Sequence, residues 1–141
     1  MLKNFELSQD FQADPESILA LINDFESYKK FLPGCLESKK LSSDSDQLIR
    51  GFLAFGILNN TYEFESLNKT DGYNVKIDQV SGPFSEFSAS WVLTSLDSGA
   101  TNVFFQVSFK LPLYLQIFAR QSMINSIGEK FVNAFADQIN V

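Results

Sequence analysis

The sequence contains no histidine and a single cysteine, Cys35. Without histidine, the chain lacks the commonest general base and the usual zinc ligand. One cysteine excludes an intramolecular disulfide and a paired-cysteine metal site, and this usage favours a reducing compartment such as the cytoplasm. Cys35 is also a poor candidate for a nucleophile, because no histidine is available to activate its thiol. Thiol, zinc and imidazole chemistry are therefore disfavoured.

Long hydrophobic runs are missing as well. No segment approaches the ~20 apolar residues that span a bilayer, and the N-terminal residues MLKNFELSQDF lack the apolar centre of a signal peptide. Acidic residues outnumber basic ones by 17 to 11, so the net charge is -6. Broad DNA binding needs a basic surface and is not expected. We expect a soluble cytoplasmic protein, with a peripheral place at the inner membrane left open.

Phenylalanine is abundant, with 15 residues among 141. Aromatic side chains bury large areas, and a small domain rich in them either packs tightly or surrounds a pocket. The chain shows no repeat, linker or low-complexity tract, and its length fits one domain over residues 1–141. No phosphate-binding, dinucleotide-binding or calcium-binding motif is present, and the carboxylates do not form a metal set.

The order of predicted elements is one strand, two short helices, about six strands and one long helix. Alternation at Phe5, Leu7 and Phe11 predicts the first strand, and Asp14-Pro15 predicts the start of the first helix. Pro33-Gly34 ends a second helix over residues 24–31. Strands then follow as far as Pro112, and apolar residues at helical spacing predict a last helix over residues 113–139.

This order predicts an α+β fold of the helix-grip type. A curved antiparallel sheet of six or seven strands has one face to bury, and the long C-terminal helix is the only element large enough to cover it. The two short helices then close one end. Such an arrangement tends to leave a cavity between the helix and the sheet.

Three segments resemble one known group of proteins. They are NDFESYKKFLPGC at residues 23–35, VSGPF at 80–84 and GEKFVNAF at 128–135. Together they are similar to the START-like (polyketide cyclase/dehydrase-type, Bet v 1-like) superfamily, within it to the coenzyme-Q-binding proteins and the ribosome association toxin A family. Lys29 departs from the pattern, since the family usually has proline after the Ser-Tyr pair. The resemblance covers nearly the whole chain.

The resemblance implies a hydrophobic pocket and three functions. The first is non-enzymatic binding of an isoprenoid quinone, such as ubiquinone, or of a lipid, which would be the only bound small molecule and would support respiratory electron transport. The second is regulation by association with the large ribosomal subunit. The third, a polyketide cyclase or aromatase, fits least, because the inward positions are almost all apolar and histidine is absent.

Candidate ligand-binding residues are the aromatic and aliphatic side chains expected to face the cavity or its mouth. They are Tyr28, Phe31, Leu32, Tyr62, Phe64, Phe84, Trp91, Phe105, Ile117, Ile124 and Phe131. Ordinary core packing is the alternative for each of them, since apolar residues at periodic positions are usually core. Collectively, their aromatic content favours some pocket surface.

Four lysines lie on either side of the FLPGC segment: Lys29, Lys30, Lys39 and Lys40. They suit contact with ribosomal RNA phosphates or with the anionic head groups of a membrane surface. The alternative is that they are solvated ends of a helix and a strand.

Overall fold

The computed structural model describes residues 2–57, 59–118 and 120–139. Its seven strands form one antiparallel sheet in the order β1-β7-β6-β5-β4-β3-β2. The strands are β1 (Lys3–Phe11), β2 (Cys35–Ser45), β3 (Leu48–Ile57), β4 (Asn60–Asp71), β5 (Asn74–Ser81), β6 (Glu86–Ser95) and β7 (Thr101–Lys110). β2 to β7 follow one another as neighbours, and β1 pairs with β7 at the far edge. The predicted α+β helix-grip architecture is confirmed.

Three α-helices accompany the sheet: α1 (Pro15–Ile22), α2 (Phe25–Phe31) and α3 (Gln121–Ile139). Asp14 precedes α1 in an extended conformation with Pro15 at the first helical position, as the sequence predicts. After α2, Gly34 has φ of +78°, a left-handed conformation that glycine adopts without steric cost. The Pro33-Gly34 break therefore turns the chain from α2 into β2.

The long C-terminal helix is shorter than predicted, because it begins at Gln121 and not at residue 113. Residues Leu113–Phe118 instead form a separate 3₁₀ turn, in which the Leu115 N–H donates to the Pro112 carbonyl at 2.9 Å. Apolar residues recur at similar spacing in a 3₁₀ turn and in an α-helix, so the sequence pattern does not separate the two. As a result Ile117, placed by prediction on the buried helix face, is 76% exposed.

The helices divide the inner face of the sheet between them. α2 packs against β2 and β3, whereas α3 packs against β1 and touches α1 and α2. Both contacts depend on a missing side chain: a Cβ at Gly51 would stand 2.4 Å from the Phe25 ring, and one at Gly128 would stand 2.5 Å from the Phe5 ring. On the inner face of β6, Trp91 meets α3 through the rings of Phe131 and Phe135, at 5.8 Å and 5.1 Å between centroids.

The direction of the chain defines two ends of the sheet. β1, β2, β4 and β6 begin at one end, where β7 also leads into the 3₁₀ turn; we call this the lower end. α3 starts there, with the Gln121 side-chain amide donating to the Asn4 carbonyl at 2.9 Å. It then runs toward α1, which lies at the upper end. The hydrophobic core occupies the upper half, around Trp91 and Phe135, which are 1% and 0% exposed.

Candidate functional site

An apolar trough runs along the inner face of the lower half of the sheet. The register pairs Leu53 with Phe64 and Phe55 with Tyr62, so these four side chains point to the same face. On β5 and β6 the trough continues with Ile77 and Phe87, which lie on that face by the same alternation. All of these side chains except Phe64 remain partly exposed. They form an incompletely buried apolar surface on the inner face of the sheet, which packs in part against the hydrophobic core.

Four phenylalanines form the floor of the trough at the lower end. Phe64 lies 4.9 Å from Phe87 and 6.0 Å from Phe84 between ring centroids. Phe84 also lies 5.4 Å from Phe109 on β7. The Gln79 side chain holds the Phe84 backbone in place, since it donates to the Phe84 carbonyl at 3.0 Å and accepts from the Phe84 N–H at 3.2 Å. These two hydrogen bonds fix the loop between β5 and β6 in the conformation that places the Phe84 ring against Phe64.

A second aromatic cluster closes the upper end of the trough. Trp91 lies 4.6 Å from Phe105 and 5.8 Å from Phe131, and Phe31 lies 5.2 Å from Phe135. Phe31 and Phe131 are only half-buried. Phe31 from α2 and Phe131 from α3 both pack against Phe135, each with 5.2 Å between ring centroids.

A surface groove of about 380 Å³ marks the seam where α2 and α3 diverge. Its walls are Phe31 and Pro33 on one side and α3 residues on the other, namely Lys130, Asn133, Ala134, Asp137 and Gln138. Phe31, which belongs to the aromatic cluster at the upper end of the trough, also lines this groove.

Two buried oxygens near the trough lack hydrogen-bond partners among the described residues. They are Ser66 Oγ and Asn68 Oδ1, on the inner face of β4 beyond Phe64. Asn68 uses its side-chain amide to donate to Asn23 Oδ1 at 3.1 Å, and Asn23 in turn donates to Thr70 Oγ1 at 3.3 Å. Buried polar atoms are nearly always paired, so this spot is the least satisfied part of the interior.

Burial raises the pKa values of the Tyr28 phenol and the Cys35 thiol. The Tyr28 hydroxyl donates to the Ile22 carbonyl, and burial raises the pKa of this phenol far above its ordinary value. Burial likewise raises the pKa of the Cys35 thiol, which lowers the fraction of nucleophilic thiolate at neutral pH. Within the described residues, no group of three His, Cys, Asp or Glu side chains is arranged to hold a metal ion.

The structure brings most of the predicted ligand-binding residues together but separates a few. Tyr62, Phe64 and Phe84 belong to the trough, and Phe31 and Phe131 belong to the aromatic cluster at its upper end. Trp91 and Phe105 are in the same cluster but are core residues, exposed by 1% and 5%. Tyr28, Leu32 and Ile124 are buried core residues, with exposed fractions of 8% or less, and Tyr28 and Leu32 do not form the predicted mouth. Ile117 lies outside the trough.

Sequence reasoning did not single out several trough residues. Leu53, Phe55, Ile77, Phe87 and Phe109 line it, although Ile77, Phe87 and Phe109 show the strand alternation that points them inward. The missing information was the position of the helices, which decides whether an inward side chain is covered. Ser66 and Asn68 carried a signal, because both are polar residues at inward positions of a strand.

The four lysines are exposed but are not equivalent. Lys29 forms an ion pair with Glu37 at 2.9 Å, and the pair raises the pKa of Lys29 and lowers that of Glu37. Lys39 lies over the Phe52 ring, with 5.3 Å from Nζ to the centroid. Glu26 accepts a hydrogen bond from the Lys40 N–H at 2.9 Å. The lysines thus stand on a surface of mixed charge.

A family model described as polyketide cyclase / dehydrase and lipid transport matches residues 11–136. The chain belongs to this family. The matched segment includes the trough, both aromatic clusters and most of α3. Membership in the polyketide cyclase / dehydrase and lipid transport family agrees with the resemblance to START-like proteins found in the sequence.

Relatives of this family member are found among known proteins. A protein named ribosome association toxin RatA from Vibrio cholerae is 27% identical over 121 residues, which cover 85% of this chain and 83% of that protein. The crystal structure of TTHA0849 from Thermus thermophilus superposes with a TM-score of 0.85 at 14% identity, over 98% of this chain and 97% of that one. The Zhui aromatase/cyclase from Streptomyces sp. R1128 superposes with a TM-score of 0.77 at 13% identity, over 99% and 94%. The two structures support the fold.

No helix in the described part of the chain is both long enough and apolar enough to cross a membrane.

Proposed function

We propose that the protein binds an elongated apolar molecule in the trough and acts without catalysis. The observation that carries this proposal is the set of inward side chains, Leu53, Phe55, Tyr62, Ile77 and Phe87, that stay partly exposed inside the fold. Apolar surface in contact with water is costly by about 25 cal/mol per Å², and an apolar ligand would remove that cost. Ligand sites are typically lined by such side chains.

The chemistry of the described interior supports the proposal of binding without catalysis. The Tyr28 phenol is hydrogen-bonded and neutral, and the Cys35 thiol has a raised pKa. The inward residues of the trough bring no carboxylate pair together. General acid–base work requires a group that can exchange protons near the operating pH, and neither group meets this requirement.

An isoprenoid quinone or a lipid is the ligand class that we propose, with support of respiratory electron transport as the cellular role. A long flexible tail matches the elongated apolar surface along the inner face of the sheet, and a quinone ring matches the aromatic clusters through offset or edge contacts. The protein would then carry the molecule through water by shielding its apolar surface.

The test begins with an organic-solvent extract of the protein purified from its own cells, analysed by ultraviolet absorbance and mass spectrometry. A stoichiometric isoprenoid quinone or lipid is the expected result. In parallel, quenching of the single tryptophan, Trp91, by decylubiquinone should saturate at one equivalent. Ile77→Asn should weaken that binding, whereas Lys76→Asn on the outer face of the same strand should not. An empty extract together with no quenching in folded protein would remove the proposal.

Association with the large ribosomal subunit is the second candidate, favoured by the similarity to proteins named ribosome association toxin RatA. Lys30, Lys39 and Lys40 are exposed and would meet RNA phosphates. Salt-sensitive co-sedimentation with large subunits tests it. Changing Lys29, Lys30, Lys39 and Lys40 to Glu should abolish sedimentation, and an unchanged result would exclude this lysine surface.

A further inference from the structure

We propose that the lower end of the molecule docks onto an anionic lipid bilayer through the 3₁₀ turn. The inference rests on the proposed function in one respect, since a bilayer would be the source of the ligand that the trough binds. The surface consists of exposed apolar side chains of the turn together with the cations that flank it.

The 3₁₀ turn presents large apolar side chains to solvent. Leu113, Tyr114 and Ile117 are 84%, 74% and 76% exposed. Further exposed apolar side chains at the same end are Leu2, Ile57 and Val80. Single exposed apolar residues are ordinary, but three such side chains within the one turn Leu113–Phe118 form a local apolar surface of the kind found at interaction sites.

The turn is ordered by its own contacts, so these side chains are displayed and not merely loose. Leu115 points inward and is 7% exposed. The Gln116 side-chain amide donates to the Leu111 carbonyl at 3.0 Å, and the Leu115 N–H donates to the Pro112 carbonyl at 2.9 Å. One side of the turn is thus fixed to the protein, and the opposite side carries Leu113 and Tyr114 outward.

Three cations flank the turn, although the chain as a whole carries a net charge of -6. Lys110 precedes it, Arg120 follows it, and Lys3 lies beside the end of β7 through its pairing with Phe109. None of the three forms an ion pair with a described residue. Glu86 is the acidic side chain nearest in register, opposite Lys110. The local excess of positive charge is complementary to anionic head groups.

The combination favours a bilayer over a folded partner. Apolar side chains between cations are the pattern of a monotopic membrane contact, in which the apolar groups enter the boundary of the acyl region and the cations stay at the head groups. Tyrosine suits this depth because it has an apolar ring and a polar tip. Ribosomal RNA offers phosphates but no apolar layer for Leu113 and Tyr114.

The experiment is co-sedimentation of the full chain with phosphatidylcholine vesicles, with and without phosphatidylglycerol. We expect binding that increases with phosphatidylglycerol and weakens with salt. The variant Leu113→Ser/Tyr114→Ser should lose roughly tenfold or more in affinity, because it removes the inserted apolar area. The variant Lys110→Gln/Arg120→Gln should lose about fivefold per charge, and only on vesicles with phosphatidylglycerol.

A matched control is Leu41→Ser/Lys76→Gln, which removes one exposed apolar side chain and one exposed cation away from the turn and should bind like the wild type. Wild-type protein that stays in the supernatant with phosphatidylglycerol vesicles would overturn the docking proposal. So would a Leu113→Ser/Tyr114→Ser variant that binds vesicles as well as the wild type, or one that loses only sedimentation with large ribosomal subunits.

Decylubiquinone quenching of Trp91, measured in solution without vesicles, separates this proposal from the ligand proposal. The turn variants should keep wild-type quenching, because Leu113, Tyr114, Lys110 and Arg120 lie outside the trough. Quenching without vesicle binding would leave the ligand proposal standing and overturn docking. Vesicle binding that depends on the turn, without quenching of Trp91, would support docking and overturn the ligand proposal.

Discussion

Gly128 on α3 faces the ring of Phe5 on β1 so closely that an added Cβ would stand 2.5 Å from two ring carbons. This contact fixes the N-terminal half of α3 against the edge of the sheet formed by β1. Among the strands, α3 packs mainly against β1, whereas the trough side chains on β3, β4 and β5 other than Phe64 stay partly exposed.

The first prediction concerns Gly128→Ala. Helix propensity alone would stabilise α3 by about 1 kcal/mol, but the clash with Phe5, which is only 6% exposed, should cost about 1–3 kcal/mol. We expect a net loss of about 1 kcal/mol in the free energy of unfolding, measured by urea denaturation. Adding Phe5→Leu should recover part of the loss. A variant more stable than the wild type would show that the helix can lift from β1.

The second prediction compares two serines that are both almost fully buried. Ser38 Oγ accepts the Lys29 N–H at 3.0 Å, whereas Ser66 Oγ has no partner among the described residues. Removing a hydroxyl that is hydrogen-bonded leaves its buried partner unpaired. Removing a buried hydroxyl that has no hydrogen-bond partner relieves a desolvation cost. Ser38→Ala should therefore lose about 1–2 kcal/mol, and Ser66→Ala should be neutral or gain up to about 1 kcal/mol. A clear loss in Ser66→Ala would mean that a water or ligand satisfies its hydroxyl.

The third prediction concerns stability at alkaline pH. Burial raises the pKa of Tyr28 in the folded protein, so the unfolded chain ionises first, near its ordinary value of about 10. Stability from this group is complete below about pH 10 and falls above it, by up to about 1.4 kcal/mol per pH unit. Tyr28→Phe should lose about 1–2 kcal/mol at neutral pH, because the buried Ile22 carbonyl loses its donor, but should show a flatter alkaline decline.

Urea unfolding at a series of pH values checks this expectation. Tyr114→Phe, at a tyrosine that is 74% exposed, serves as the control and should follow the wild-type curve. If the free energy of unfolding fell equally with pH in Tyr28→Phe and the wild type, the Tyr28 phenol would not be held buried and neutral in the folded protein.

The fourth prediction is that Cys35 is a slow thiol. Burial raises its pKa, and the thiolate is the reactive form, so the folded protein should react with a disulfide reagent more slowly than free cysteine at neutral pH. The rate should reach its midpoint above about pH 8.5, the ordinary value for a free thiol. Protein unfolded in urea is the control and should react like free cysteine. A reaction faster than that of free cysteine would indicate a stabilised thiolate instead.

Local sequence rules predicted most of the fold. Alternation at Phe5, Leu7 and Phe11 identified β1, where Phe5 and Phe11 are buried, because strand geometry sends successive side chains to opposite faces. The Pro33-Gly34 break and the start of α1 are similarly local, since they depend on the conformations that proline and glycine prefer. The family resemblance rested on residues 23–35, 80–84 and 128–135, and the match to the family model confirmed it.

The tertiary structure decided what local rules leave undetermined. Leu115 is buried and Ile117 is exposed because residues Leu113–Phe118 form a 3₁₀ turn that is separate from α3. Whether an inward Ile77 or Phe87 is fully buried depends on where the helices lie, and the Gly128–Phe5 contact is one of the contacts that place α3. The sequence alone determined which residues face inward, because backbone geometry is periodic. Only the packed fold decided which of them a helix covers, because coverage is set by contacts between residues far apart in the chain.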